Sequence, residues 1–174
     1  MKSVALVFLL CSACLFAQNN QPQQPPCSAP EFHQFDFWVG DWDLSWPNPQ
    51  GGSELHGENH IVREFGNCVV HENFSDHADP AFKGQSVSTF VPQANKWKQT
   101  WVDNQGAYLD FTGEFKDGQM ILSRAGINRQ GQKVNQRMVF KNIQPDSFNW
   151  SWESSQDEGK TWKVQWPIHY TRRK

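Results

Sequence analysis

The feature that most constrains the fold of this chain is an alternation of apolar and polar side chains with a period of two residues. In residues 107–116, Leu109 and Phe111 share one face of an extended chain. Asp110 and Glu114 share the opposite face. Because successive side chains of a β-strand point to opposite sides, this pattern predicts a strand with one buried face.

Turn-forming residues separate such segments along most of the chain, at intervals of roughly 10–15 residues. Asp117-Gly118 is the strongest hairpin signal, because both positions tolerate a positive φ. The segments between turns predict about ten strands, at residues 42–46, 54–65, 68–75, 84–91, 96–102, 107–116, 119–128, 133–143, 147–154 and 161–171.

A run of hairpins of this length predicts an all-β fold, an antiparallel up-and-down barrel of about ten strands, since closure leaves no exposed strand edge. A sandwich of two sheets is the alternative. One short N-terminal helix is predicted at residues 31–37. In the last strand, the alternation groups Trp162 and Val164 on one face with Trp166.

The N-terminal residues predict export. Lys2 supplies a positive charge, and residues 4–16 form an apolar run broken only by Ser12. A run of about 13 residues is shorter than the about 20 that a membrane-spanning helix needs. With the small residue Ala17 at the cleavage point, residues 1–17 predict a signal peptide and a periplasmic or extracellular protein.

Composition limits the remaining organisation and the partners. Residues 18–30 are rich in Gln and Pro and predict a flexible linker, followed by a single domain at residues 31–174. The net charge of the chain is -2, and removal of residues 1–17 takes away only Lys2, which makes it about -3. A mildly acidic chain without a basic block predicts no nucleic-acid partner.

The four cysteines agree with export. Cys14 ends a segment similar to a bacterial lipoprotein cleavage box, but Cys11 stands where that box has Leu, so a lipid anchor at Cys14 is not favoured. Cys27 and Cys68 remain in the mature chain. In an oxidising compartment the simplest expectation is one disulfide, and two separate thiols are the alternative.

The motif Gly40-x-Trp42 at the start of the first strand, with Arg172 near the end of the last, resembles the signature of the calycins, which include the lipocalins. The resemblance implies that the arginine packs over the tryptophan and closes one end of the barrel; Arg173 is the alternative for this role. The chain also resembles an uncharacterised family of secreted bacterial lipocalin-like proteins, over residues 31–174. That family has no established activity, so the resemblance implies no catalytic residue.

Residues 155–162 match the Asp-box of sialidases and other β-propellers. A propeller needs repeated blades, and the chain contains one copy of the motif. We therefore interpret the motif as structural: Asp157 caps the turn, Gly159 supplies its conformation, and Trp162 anchors the following strand.

The chain has six histidines. His56 and His60 would share a face of one strand, and His60, His71 and Glu72 lie on neighbouring predicted strands. This spacing does not force the side chains to converge, and no metal-binding motif is present. The sequence therefore predicts no metal and no cofactor; haem bound through His169, as in the barrel-shaped nitrobindins, is the alternative.

Catalysis has weaker support. A buried carboxylate among Glu72, Asp103, Asp110 and Glu153 could act as an acid or base, and Arg124 could fix an anion. Solvated surface groups are the favoured interpretation of these residues, because such side chains are seldom buried. No nucleophile motif or phosphate loop is present, so no catalytic residue is predicted.

Nine tryptophans exceed ordinary usage and point to binding. Packing of a barrel interior explains many of them, and the rest would line a pocket with a few polar anchors. The candidate ligand-binding residues are Trp97, Gln99, Trp101, Phe111, Arg124, Trp150 and Trp152. The favoured function is binding of a small apolar or aromatic molecule. The alternatives are an isomerase or hydrolase that uses a buried carboxylate in the same cavity, and an interaction protein with a filled barrel.

Overall fold

A computed structural model describes residues 25–128 and 130–174, and within them ten antiparallel strands close into one barrel. The predicted signal peptide, Cys14 and most of the predicted linker lie outside the described residues. The strands are β1 Gly40–Trp46, β2 Leu55–Glu64, β3 Val69–Asp76, β4 Lys83–Val91, β5 Lys96–Asp103, β6 Tyr108–Lys116, β7 Gln119–Ile127, β8 Lys133–Gln144, β9 Ser147–Ser155 and β10 Lys163–Arg172.

Each strand pairs with its neighbours in sequence, and β1 closes the barrel by pairing with β10. The predicted all-β, up-and-down barrel is therefore confirmed. The short N-terminal helix is present as two consecutive 3-10 helices, Pro30–His33 and Asp36–Trp38, and a third lies at Pro92–Ala94. The β6–β7 hairpin turns through Asp117 and Gly118, whose φ angles are 51° and 74°.

The two N-terminal 3-10 helices fill one end of the barrel, and we call residues 30–39 the plug. Phe35 of the plug is completely buried and meets Trp97 edge-on, with 4.7 Å between ring centroids. Trp38 meets Phe140 in the same way at 5.1 Å. From outside, Arg63 donates a hydrogen bond to the carbonyl oxygen of Phe32 at 2.8 Å. Aromatic burial from inside and a charged hydrogen bond from outside thus fix the plug.

Trp42 and Arg172 seal this end at the β1–β10 seam. The two residues are direct cross-strand partners, and the Arg172 Cζ atom lies 4.1 Å from the centre of the Trp42 ring. The guanidinium donates hydrogen bonds to the carbonyl oxygens of Val39 at 2.9 Å and Phe37 at 3.1 Å. Arg173, the alternative for this role, instead faces outward and pairs with Asp43.

A disulfide joins Cys27, just before the plug, to Cys68, just before β3, with 5.1 Å between the Cα atoms. The bond closes a loop of 41 residues. Cross-links over loops of this size stabilise a fold by roughly 2–4 kcal/mol. The disulfide therefore holds the plug-bearing segment against the barrel.

One prediction about side-chain faces is wrong. A β-bulge between Val164 and Trp166 shifts the register of β10 against β9. Trp166 pairs with the inward-facing Trp152, but Val164 pairs with Glu153 and is 46% exposed. The extra residue reverses the alternation, so Val164 and the preceding Trp162 lie outside the barrel.

The Asp-box residues form the β9–β10 turn, outside the barrel. The Asp157 carboxylate accepts hydrogen bonds from the Thr161 backbone N–H and hydroxyl, and these bonds lower its pKa to about 2. The Trp162 ring lies 4.0 Å from the Arg137 Cζ atom, and Arg137 forms an ion pair with the buried Glu153. The motif thus covers an ion pair on the outer face of the sheet.

We expect Trp42→Ala to lower the free energy of unfolding by about 3–5 kcal/mol, the range for deleting a large buried aromatic side chain. Urea denaturation measures this value. Tyr108→Ala is the control, because Tyr108 is 68% exposed on β6 and its loss should cost less than about 1 kcal/mol. Similar values for both variants would mean that Trp42 does not hold the barrel end together.

Candidate functional site

The barrel contains a cavity of about 230 Å³ between the plug and the opposite end. Phe82 from the β3–β4 connection and Asp103 at the end of β5 line the side away from the plug. Ten of the fifteen lining side chains are aromatic. The complete lining is Trp38, Glu72, Phe74, Phe82, Trp101, Asp103, Leu109, Phe111, Met138, Phe140, Trp150, Trp152, Trp166, Ile168 and Tyr170.

The aromatic wall is packed edge to face. Trp166 lies at the centre of one group, 5.8 Å from the Phe74 ring and 5.8 Å from the Trp150 ring. Trp152 meets Phe111 nearly perpendicularly at 5.8 Å. Rings held by such contacts present both faces and edges to the cavity without needing a ligand to order them.

Gly84 on β4 makes room for the Trp101 indole. A Cβ atom placed on Gly84 would lie 2.0 Å from the Trp101 ring. The indole therefore lies directly against the backbone of the neighbouring strand, and its Nε1–H donates to the Asp103 carboxylate at 3.0 Å. The missing side chain at position 84 sets how far the ring withdraws from the cavity.

Glu72 on β3 is a buried carboxyl group in the cavity wall. Its Oε1 accepts a hydrogen bond from Asn59 Nδ2 at 2.7 Å, and its Oε2 accepts one from Ser86 Oγ at 2.5 Å. Burial raises the pKa of Glu72 to about 7, against the opposing effect of these two hydrogen bonds and of the nearby His71. Glu72 therefore gains and loses its proton near neutral pH, and not in the acid range that is usual for a glutamate.

Tyr170 and Trp38 lie next to Glu72 on the plug side of the cavity. Asn59 Nδ2 also donates to the Tyr170 hydroxyl, at 3.2 Å. Burial and the neighbouring Glu72 raise the pKa of Tyr170 well above its usual value, so the hydroxyl stays protonated. The buried Trp38 Nε1 makes no hydrogen bond of ordinary geometry among the described residues. It lies close enough to the Tyr170 hydroxyl to oppose weakly the rise of that pKa.

Asp103 supplies a second carboxyl group, at the far side of the cavity. Partial burial raises its pKa, but hydrogen bonds from the Trp101 indole and from the backbone N–H groups of Ala107 and Gln105 outweigh this effect and lower the pKa overall. Asp103 is therefore ionised at neutral pH. The cavity carries one fixed negative charge and one that depends on pH.

The structure places the seven candidate ligand-binding residues in two groups. Trp101, Phe111, Trp150 and Trp152 line the cavity together. The other three, Trp97, Gln99 and Arg124, lie outside its wall.

Each residue of the second group has a partner elsewhere in the barrel. Trp97 packs against the plug and donates to Gln34 Oε1 at 3.0 Å. Gln99 donates to Ser88 Oγ at 2.9 Å. Arg124 donates to Gln136 Oε1 at 2.5 Å.

Among the candidate carboxylates, Glu72 and Glu153 are buried, contrary to the interpretation of both as solvated. Of these two, only Glu72 faces the cavity, as Asp103 also does, because Glu153 lies on the outer face beneath Trp162. Glu72 alternates with the buried residues Val70 and Phe74 along β3. This period of two was the sequence signal that could have placed Glu72 inside.

No group of three or more His, Cys, Asp and Glu side chains suited to a metal ion occurs among residues 25–128 and 130–174. His169, the alternative haem ligand, is exposed on β10 and hydrogen-bonds Asn149 at 2.8 Å through Nδ1. It therefore lies on the face of the sheet opposite the cavity. Within the described ranges, no helix has the length and apolar character needed to cross a membrane.

Comparison with known proteins gives no functional assignment. No family model matches the chain, and no curated protein matches it in sequence. One solved structure to which it is similar is a protein of unknown function from the DUF3598 family of Nostoc punctiforme PCC 73102. The match is 8% identical, covers 82% of this chain and 99% of that chain, and has a TM-score of 0.26. The case for a function therefore rests on the barrel and its cavity.

We expect Glu72→Gln to remove a pH dependence of stability. The pKa of an isolated glutamate side chain is 4.5, and that of Glu72 in the folded protein is about 7. Between these two pH values the folded state holds a proton on Glu72 that the unfolded state has lost. The resulting stabilisation is fully present below the lower value and is lost as pH rises through the upper one. Relative to the variant, the wild type should lose on the order of 3 kcal/mol between about pH 4.5 and about pH 8.

Urea denaturation at a series of pH values measures this difference. Asp110→Asn is the matched control, because it removes an exposed carboxylate from β6. The control should follow the wild-type profile. Parallel profiles for wild type and Glu72→Gln would show that Glu72 is not buried as a proton-binding group.

Proposed function

We propose that this protein binds a small apolar or aromatic molecule inside its barrel. The observation that carries the proposal is the cavity of about 230 Å³, with aromatic side chains at ten of its fifteen lining positions. Small-molecule sites in proteins have this composition, mostly apolar and aromatic with a few polar groups that fix orientation. Glu72, Asp103 and Tyr170 are the polar groups here.

The size of the cavity limits the ligand. An apolar cavity of about 150 Å³ accommodates benzene, so about 230 Å³ suits a molecule with one aromatic ring and a short substituent, or a compact bicyclic molecule. A long fatty acid could place only part of its chain inside this volume. We therefore expect the protein to bind a narrower range of molecules than a barrel with a larger and more open cavity.

We further propose that the protein is an exported member of the calycin superfamily. The Gly40-x-Trp42 motif and the Arg172 contact support the superfamily, and the N-terminal sequence supports export. The disulfide between Cys27 and Cys68 adds to this, because disulfides persist mainly in oxidising compartments.

A screen of small aromatic molecules against the purified protein tests the binding function. A ligand should change the tryptophan fluorescence, because indoles line the cavity. It should also raise the melting temperature with increasing concentration, since a ligand that binds only the folded state stabilises it by RT ln(1 + [L]/Kd). Trp152→Ala should weaken binding roughly tenfold by removing one wall.

Trp162→Ala is the matched control for Trp152→Ala. Both variants lose one indole, but Trp162 lies outside the barrel against Arg137. The control should bind with the wild-type Kd. Equal weakening in the two variants, or no thermal shift with any molecule of suitable size, would refute binding in the cavity.

A second candidate function is proton transfer on a bound molecule, and the position of Glu72 favours it. An acid or base works best when its pKa lies near the working pH, and that of Glu72 is about 7. If Glu72 acts in this way, ketones that bind should exchange their acidic C–H hydrogens for deuterium in D₂O, as observed by NMR. Glu72→Gln should abolish this exchange while binding persists. Exchange at the same rate in wild type and variant would exclude Glu72 as the base.

A further inference from the structure

The charges in the cavity wall are of one sign. Glu72 and Asp103 contribute two carboxyl groups, and none of the lining residues in the described part of the chain is Lys, Arg or His. Arg124 is a nearby cation: its Cζ atom lies 6.0 Å from the ring of the wall residue Phe111. It donates to Gln136, and its buried Nε has no hydrogen-bond partner among the described residues. Arg124 is not itself part of the lining. An anionic ligand would therefore meet repulsion from two carboxyl groups, with no cation among the described residues of the wall itself to compensate it.

The aromatic wall adds to the same preference. The face of an indole or phenyl ring carries negative electrostatic potential and attracts cations, most strongly when both groups are withdrawn from water. Trp101, Trp150, Trp152 and Trp166 surround the cavity together with the phenyl rings of its wall. Carboxyl groups and ring faces thus favour the same sign of ligand charge.

We propose that the cavity selects organic cations, in which a protonated amine or a quaternary ammonium is attached to a small apolar or aromatic body. This inference rests on the proposed binding function and specifies its ligand class. A protonated amine pairs with the Glu72 carboxylate next to the plug. The apolar body packs among the tryptophans toward Asp103.

Glu72 has the hydrogen-bonding capacity for such a ligand. Each of its oxygens accepts one hydrogen bond, from Asn59 and from Ser86. An ionised carboxylate has about four lone-pair positions, so an ammonium group can donate to the remaining ones. Asn59 and Ser86 hold the carboxylate in place for this contact.

Cation binding in this cavity is coupled to a proton. A bound cation favours ionised Glu72, so its affinity should rise with pH as Glu72 loses its proton. The other titratable groups near Glu72 are Tyr170 from β10 and His71 beside it in β3. Asp103 from β5 lines the same cavity at its far side. Tyr170 stays protonated and Asp103 stays ionised over the neutral range. His71 faces outward and pairs with Glu64. The variant His71→Gln removes the charge of His71, so that any pH dependence that remains can be assigned to Glu72.

Three molecules with the same ring test the charge preference: 2-phenylethylamine, 2-phenylethanol and 3-phenylpropanoate. Isothermal titration calorimetry at pH 8, where Glu72 is ionised, gives the Kd of each molecule. We expect the amine to bind at least roughly tenfold tighter than the alcohol, and the carboxylate to bind most weakly. Glu72→Gln should weaken binding of the amine by a larger factor than it changes binding of the alcohol, so that most of the amine's advantage is lost.

The pH profile supplies a test that does not depend on the folding of a variant. In wild type, the affinity for the amine should rise between about pH 6 and about pH 8, and the affinity for the alcohol should stay constant. His71→Gln should keep this profile, and Glu72→Gln should flatten it.

Equal affinity for the three molecules, or preference for the carboxylate, would overturn the cation inference while leaving the binding function in place. An amine affinity that is independent of pH in wild type would overturn the role of Glu72. If none of the three binds and the wider aromatic screen also fails, the binding function falls with the inference. If the screen succeeds with neutral molecules only, the inference alone falls.

Discussion

A ten-stranded barrel is too wide for the side chains of its own strands to fill along its whole length, and this constraint explains the rest of the structure. The plug fills one end with Phe35 and Trp38, which come from outside the sheet. The Arg172 guanidinium donates hydrogen bonds to two backbone carbonyl oxygens of the plug and also covers the Trp42 ring. Because the plug occupies one end only, the remaining interior stays open as the cavity.

The barrel could be predicted from the sequence because each strand and each turn is specified by residues that are close together in the chain. Alternation identified the strands and turn residues separated them, so the strand boundaries agree with the structure within a few residues. The side of the sheet on which Trp162 and Val164 lie could not be predicted. A single bulge residue reverses the alternation, and no residue type in this segment identifies the bulge. The position of the plug residues depends on packing against β5 and β8, which no local pattern reveals.

The site was predictable only in part, for a related reason. Trp101, Phe111, Trp150 and Trp152 were placed on shared faces by their period, and they do line the cavity. Trp97 shares a face with Trp101 but lies four residues earlier in β5. It is therefore closer to the plug, where the interior is filled. Alternation gives the side of the sheet that a residue faces, but it does not give the depth at which the barrel changes from packed to open. The burial of Glu72 follows from its face and its neighbours, and it decides the electrostatic character of the site.

Gly84 has a consequence for how such a site can change over time. The indole of Trp101 lies where a side chain of residue 84 would be, so any larger residue there would push the ring inward and reduce the space for a ligand. In the proposed binding function, ligand size is controlled on β4 and ligand charge is controlled mainly on β3. Because different positions govern the two properties, substitutions could retune one specificity while the other is inherited unchanged, and the barrel could serve related proteins with different ligands.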